Sequence, residues 1–302
     1  MIKKTLAILL MSLASAAIAV PLGSQSVLVV EDGTGKVLLE KNANLVVPIA
    51  SLTKWMTAMV VLDSKPDMEE LINIDKNDVD LLKHSTSRVP VGAAIRRGDV
   101  LQLALMSSDN RAAAALGRTY PGGQAAFNRA VNAKIRALGM SHTMIEEPTG
   151  LSPNNRSTAA DLIKMASAAA KYPDIGRITT DAKDIINING RRVEYHNTNR
   201  LVGAKGWDIG LSKTGYTEEA GRCLIMRIKS AGKNATLVLL NARASSARVV
   251  DATNIRRFIT GETAETKVAT AAPRHRRHLS RNLSRQGARH IARHTNRHRR
   301  TV

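Results

Sequence analysis

Short apolar runs bounded by turn residues cluster near the two ends of this chain, and a long helix-rich stretch separates them. That order restricts the fold more than any other feature. Residues 27–30 and 36–40 flank Asp32-Gly33-Thr34-Gly35, the pattern of a β-hairpin. Residues 50–62 follow Pro48 without an internal Gly or Pro, as a helix does. Residues 63–180 are rich in helix formers, with Ala-rich runs at 111–117 and 159–170. Strands are expected again after Asn197, at 209–213, 223–229 and 235–241, the last two joined by Ala231-Gly232-Lys233-Asn234. Residues 246–259 pattern as an amphipathic helix stopped at Gly261.

One economical architecture satisfies this order. It is an α+β fold with a five-stranded, mostly antiparallel sheet, flanked by the terminal helices and carrying an all-helical lobe on one edge. The sheet lobe takes about 20–62 and 181–266, and the helical lobe about 63–180. A cleft between the lobes is the default place for a site.

The formal net charge of +20 suggests nucleic acid or an anionic surface at first. Aromatic residues make up only 3%, too few to stack the bases of a single strand, and no specific nucleic-acid partner is expected. Much of the charge sits at one end. From Lys267 onward there are 11 Lys and Arg, no acids, and five of the eight histidines. Arginines recur there every fourth residue from Arg277 to Arg297, which as a helix would stack like charges. Residues 267–302 are therefore expected to form a disordered tail, with an anionic lipid or wall polymer as its candidate partner. At the other end, Lys3 and Lys4 precede an apolar run that closes on Ala17-Ile18-Ala19, the pattern of an export signal over 1–19. The remainder, 20–266, is then a single catalytic unit in a periplasm. The lone Cys223 excludes an internal disulfide. His84, His142 and His196 lack ligand spacing, so neither metal nor cofactor is expected.

Three triplets carry chemistry. Ser51-Leu52-Thr53-Lys54 opens the first helix, and residues three apart share a helix face. A lysine with a lowered pKa can there take the proton of a serine hydroxyl. Ser108-Asp109-Asn110 lies in the helical block, and Lys213-Thr214-Gly215 ends an expected strand. Each is weak alone. Ser230-Ala231-Gly232-Lys233 repeats the first spacing, and Ser152-Pro153-Asn154 and Ser280-Arg281-Asn282 repeat the second. The order of the three, each in a suitable element, is specific.

Together they resemble the penicillin-recognising serine acyl-transferases. Pro48 to Lys54, Met106 to Ala113 and Glu147-Pro148-Thr149-Gly150-Leu151-Ser152 are similar to the low-molecular-mass penicillin-binding proteins, in particular their D-alanyl-D-alanine endopeptidases. The resemblance covers about residues 25–260. It implies that Ser51 is a nucleophile and Lys54 its base, that Lys213 depresses the pKa of Lys54, and that Ser108 protonates the leaving amine. It further implies that Asn110 holds Lys54 and the substrate amide, and that Thr214, beside Gly215, binds a substrate carboxylate. The backbone N–H groups of Ser51 and Tyr216 would form the oxyanion hole. Peptidoglycan peptides would be substrates and β-lactams covalent inhibitors.

Class A β-lactamases share the triplets but add a glutamate that activates the deacylating water. Here Leu and Asn do not follow Glu147 at the places their loop requires, so Glu147 is read as structural. Only about 40 residues follow Gly261, and they are not strand-like, which favours an endopeptidase over the larger carboxypeptidases. A carboxypeptidase, a β-lactamase and a non-catalytic exported wall-binding protein stand as alternatives.

Overall fold

The computed structural model describes residues 20–262. The expected export signal and basic tail lie outside them.

The chain begins with β1 (Ser24–Glu31) and β2 (Val37–Lys41), the expected hairpin. A short strand, β3 (Val47–Pro48), leads through a 3-10 turn, Ala50–Leu52, into α1 (Thr53–Asp63). Next come β4 (Leu71–Asn73), β5 (Ala94–Arg96), α2 (Arg97–Leu105), α3 (Asn110–Arg118) and α4 (Gly123–Ala137). Then follow β6 (Arg156–Ser157), α5 (Ala159–Ala169) and α6 (Pro173–Thr180). The hairpin β7 (Lys183–Ile188) and β8 (Arg191–His196) precedes β9 (Asp208–Thr217), β10 (Gly221–Ser230), β11 (Lys233–Ala242) and α7 (Ser245–Thr260).

Strands β1, β2, β9, β10 and β11 form one antiparallel sheet in the order β2-β1-β11-β10-β9. This is the expected architecture. Its central strands read as nearly continuous apolar runs because both faces are covered. Leu28, Val238 and Ile225 face the core shared with α1, α2, α3 and α5. The alternate residues Val27, Leu239 and Leu224 face α7 through Ala252 and Ile255. Asp251 of α7 ties the layers by accepting hydrogen bonds from the Gly23 and Ser24 backbone N–H groups and the Ser24 hydroxyl at 2.6–2.8 Å.

Several expectations need correction. The helical lobe is not all-helical: β3 pairs with β6, and β4 with β5. Residues 64–96 form only a short 3-10 turn and that small ladder: Pro66, Pro90 and Gly92 bound the segment, and inside it the Asp75, Asp78, Asp80 and Ser87 side chains accept local backbone N–H groups in place of helix carbonyls. The hairpin β7–β8 was not expected, although Asn189-Gly190 is a strong turn signal; both residues take positive φ there. The β10–β11 turn is two residues, Ala231 and Gly232, also at positive φ. Finally, Lys213-Thr214-Gly215 lies inside β9 and not at its end, because pairing with β10 continues to Thr217↔Gly221. No helix among the described residues is long and apolar enough to cross a membrane.

Candidate active site

Ser51 sits where the chain turns from β3 into α1. The Ile49 N–H donates to the Asn155 carbonyl at 2.9 Å, which fixes the entry. Ala50 then takes a left-handed conformation, φ +48°, costly for a residue with a Cβ. Two glycines make this turn fit. A Cβ on Gly150 would stand 2.0 Å from the Ala50 carbonyl oxygen, and one on Gly215 would stand 3.1 Å from the Ser51 nitrogen. The first glycine lets the loop at 147–152 press under the turn. The second lets edge strand β9 lie alongside it.

One helical turn after Ser51, Lys54 is buried with its side chain folded back into the site. Its Nζ donates to Ser51 Oγ at 2.8 Å, Asn110 Oδ1 at 2.7 Å and the Thr149 carbonyl at 2.7 Å. Three protons thus meet three acceptors. The neutral amine can keep the last two bonds and offer its lone pair to the serine. Burial lowers the Lys54 pKa from 10.5 to about 8, opposed chiefly by the negative charge of Glu147. Burial, and not Lys213 as expected, is therefore the dominant cause. The repulsion between the two lysines is felt at Lys213, which burial first, then Lys54 and Arg248, hold well below the usual lysine range. The Lys213 Nζ donates to the Thr214 carbonyl at 3.1 Å.

The second triplet enters from the helical lobe. Asp109 caps α3 by accepting from the Ala112 N–H at 2.9 Å, so Asn110 starts the helix and points at Lys54. Asn110 Nδ2 donates to Ser85 Oγ at 2.8 Å, which settles its orientation. Ser108 precedes the cap at φ +60°.

Glu147 is structural in its contacts. Its carboxylate accepts from the backbone N–H groups of Thr149, Gly150 and Ser152 at 2.6, 2.7 and 3.2 Å, and from Asn155 Nδ2 at 3.0 Å. These bonds hold the Thr149 carbonyl toward Lys54.

Ser51, Ser108, Asn110, Thr214, Gly215 and Tyr216 line one cleft of about 850 Å³. All eight residues expected at the site therefore converge: six on the cleft wall, with Lys54 and Lys213 buried behind it. The cleft also holds residues that no motif announces. Thr198 accepts from the Thr214 hydroxyl at 2.6 Å, and Arg200 and Arg248 add positive charge to the same wall. Arg248 alone left a trace in the sequence: a cation in the first turn of a helix opposes the helix dipole. Arg222 stacks on Tyr216, 3.4 Å from the ring centre. Cys223 is a buried strand residue, its thiol pushed up to about 11 by burial.

Residues 13–244 match the peptidase S11 family, described as D-alanyl-D-alanine carboxypeptidase. A D-alanyl-D-alanine endopeptidase of Pseudomonas aeruginosa is 46% identical over 254 residues, 83% of this chain and 80% of its own. One of Escherichia coli is 43% identical over 240 residues, 79% and 77% of the two chains. The crystal structure of the Streptomyces K15 DD-transpeptidase superposes with a TM-score of 0.74 at 26% identity, covering 79% of this chain and 97% of that one.

Proposed function

The chain belongs to the D-alanyl-D-alanine carboxypeptidase family of serine hydrolases, and on that premise we propose that it opens D-alanyl cross-links of peptidoglycan through an acyl-enzyme on Ser51. The observation that carries this reading is the 2.8 Å contact between Ser51 Oγ and a buried Lys54 whose pKa lies near 8. A tenth or so of that lysine is neutral at pH 7, and a neutral amine is a competent base.

Lys54 takes the Ser51 proton as Oγ attacks the carbonyl of the D-alanyl bond. The developing oxyanion is held by the backbone N–H groups of Ser51 and Tyr216. Ser108 passes a proton to the departing amine. Asn110 holds Lys54 and the acyl-side amide. Thr214, with the positive charge of Arg200 and Arg248 on the same wall, binds the carboxylate of the leaving group. Water then releases the acyl group. Glu147, its oxygens engaged by the loop it organises, leaves that water without a dedicated base, so β-lactams acylate and are released slowly.

Cross-link cleavage is preferred because the relatives at 46% and 43% identity carry the endopeptidase name. The family description favours removal of a terminal D-alanine as the second reading. Digestion of defined muropeptides separates the two. Cross-linked dimers falling to monomers supports the first, and pentapeptides losing one D-alanine supports the second. An export signal in 1–19 would put the enzyme beside its substrate in a periplasm. The basic residues after Lys267 would hold it near anionic lipid or wall polymer, an expectation that rests on sequence alone.

A further inference from the structure

The cleft runs on past the point where a terminal D-alanine would end. Gly215 lies against Ser51, and successive side chains of a strand leave on opposite sides. Thr214 and Tyr216 therefore point together, away from the nucleophile turn. Their partners on β10 are Leu224 and Arg222. Leu224 packs with Ala252 and Ile255, so this is the side of the sheet that α7 covers. One turn before Ala252, the Arg248 guanidinium donates to the Cys223 carbonyl at 3.0 Å and fixes the start of α7 beside the Gly215–Cys223 pair.

The cleft that Ser51 lines continues over the first turns of this helix, where Ser245, Ser246, Val249 and Val250 form its wall. Ser245, Ser246 and Val250 are exposed there, Val250 by 53%. The acylation and release steps use none of the four. A leaving D-alanine is an amine, a methyl group and a carboxylate. With that carboxylate at Thr214 and Arg248, no atom remains to reach further along α7, and a cleft of about 850 Å³ far exceeds what one amino acid occupies. The amine released from a cross-link carries a second peptide stem as well. That stem leaves the carboxylate site along the exposed end of the cleft, over α7.

We propose that Ser245, Ser246, Val249 and Val250 form a shelf for the body of the leaving group, and that this shelf favours cleavage of a cross-link over removal of a terminal D-alanine; the proposal rests on the peptidase reading above. Its chemistry suits a peptide: two hydroxyls for backbone amides and two valines for aliphatic carbon. Contacts made away from the bond that breaks raise kcat/KM only for substrates long enough to make them. A pentapeptide is too short on its leaving side. The selection is for the presence of the second stem.

The test uses the full chain with a cross-linked muropeptide dimer, a pentapeptide and fluorescent penicillin; the last two carry no second stem. Ser246 and Val250 lie one turn apart on one helix face, so Ser246→Trp and Val250→Trp each fill the shelf. Each should lower kcat/KM for the dimer by about tenfold or more. Pentapeptide trimming and penicillin labelling should stay within about twofold of wild type, which also shows that the variant folds. Ser246→Ala leaves the shelf open and should cut the dimer within about threefold of wild type. Equal loss on all three substrates, or dimer cleavage at the wild-type rate in both tryptophan variants, would overturn the proposal. If one tryptophan variant does not fold, the other carries the same test. Failure of the peptidase reading looks different and is seen in the wild type itself, which would take no label, or would take it and leave dimers intact.

Discussion

Gly150 lies so close beneath Ala50 that a Cβ would stand 2.0 Å from the Ala50 carbonyl oxygen, with Gly150 itself at φ +88°. Gly150→Ala therefore adds backbone overlap to an unfavourable conformation. It should cost about 3 kcal/mol or more and displace Ser51. Thermal unfolding and penicillin labelling should both fall; a variant with wild-type labelling would show that the turn does not depend on this contact.

Ser51→Ala should abolish covalent labelling by fluorescent penicillin while leaving the melting temperature near that of wild type, because Ser51 is half-buried at a surface cleft. Label that persists would move the nucleophile elsewhere.

The pH dependence follows from Lys54. The base must be neutral, and burial sets its pKa at about 8. Acylation kcat/KM should rise with pH through that value, about tenfold per unit below it, and level off above. The same shift makes folding pH-dependent. Between about 8 and 10.5 the unfolded chain binds the proton that the folded chain has lost, so stability should increase with pH across that window as far as this residue is concerned. A rate profile flat from pH 6 to 9 would remove Lys54 as the base.

Glu147→Gln separates scaffold from catalyst. Loss of the charge weakens the hydrogen bonds that shape residues 147–152 and aim the Thr149 carbonyl at Lys54. Stability should drop by about 1.5–3 kcal/mol and acylation should slow. Release of bound penicillin should be unaffected. If release slows sharply instead, Glu147 activates the water and the molecule works as a β-lactamase does.

Arg248→Ala should raise KM for peptides whose leaving group carries a free carboxylate, by about tenfold or more, with a smaller change in kcat. Amidated leaving groups should lose this sensitivity. Equal effects on both peptides would place Arg248 in the fold and not in recognition.

The fold was legible where local pattern and tertiary demand agree. Turn residues at Asp32-Gly33-Thr34-Gly35 and Ala231-Gly232 lie between apolar runs, and the chain reverses there. It was less legible at 64–96, where Asp side chains take up local backbone N–H groups and β4–β5 pairing holds the segment in place of a helix. The three triplets were visible because each is contiguous. Thr198, Arg200, Arg222 and Arg248 belong to no such pattern, and nothing local brings them to Thr214 and Tyr216.

By itself, the sequence determined the order of the five sheet strands and of the helices that flank them, the chemical types at Ser51, Lys54, Ser108, Asn110 and Lys213, and the backbone freedom of Gly150 and Gly215. Those follow from spacing, turn chemistry and composition, which act over a few residues. Only the tertiary structure decided that Lys54 is buried enough to sit near pKa 8, that the Glu147 carboxylate is taken up by its own loop, and that Thr198, Arg200 and Arg248 join Thr214 on one wall. Desolvation and Coulomb interactions depend on distance in space, and these partners are brought together by the packing of the helical lobe against the edge of the sheet.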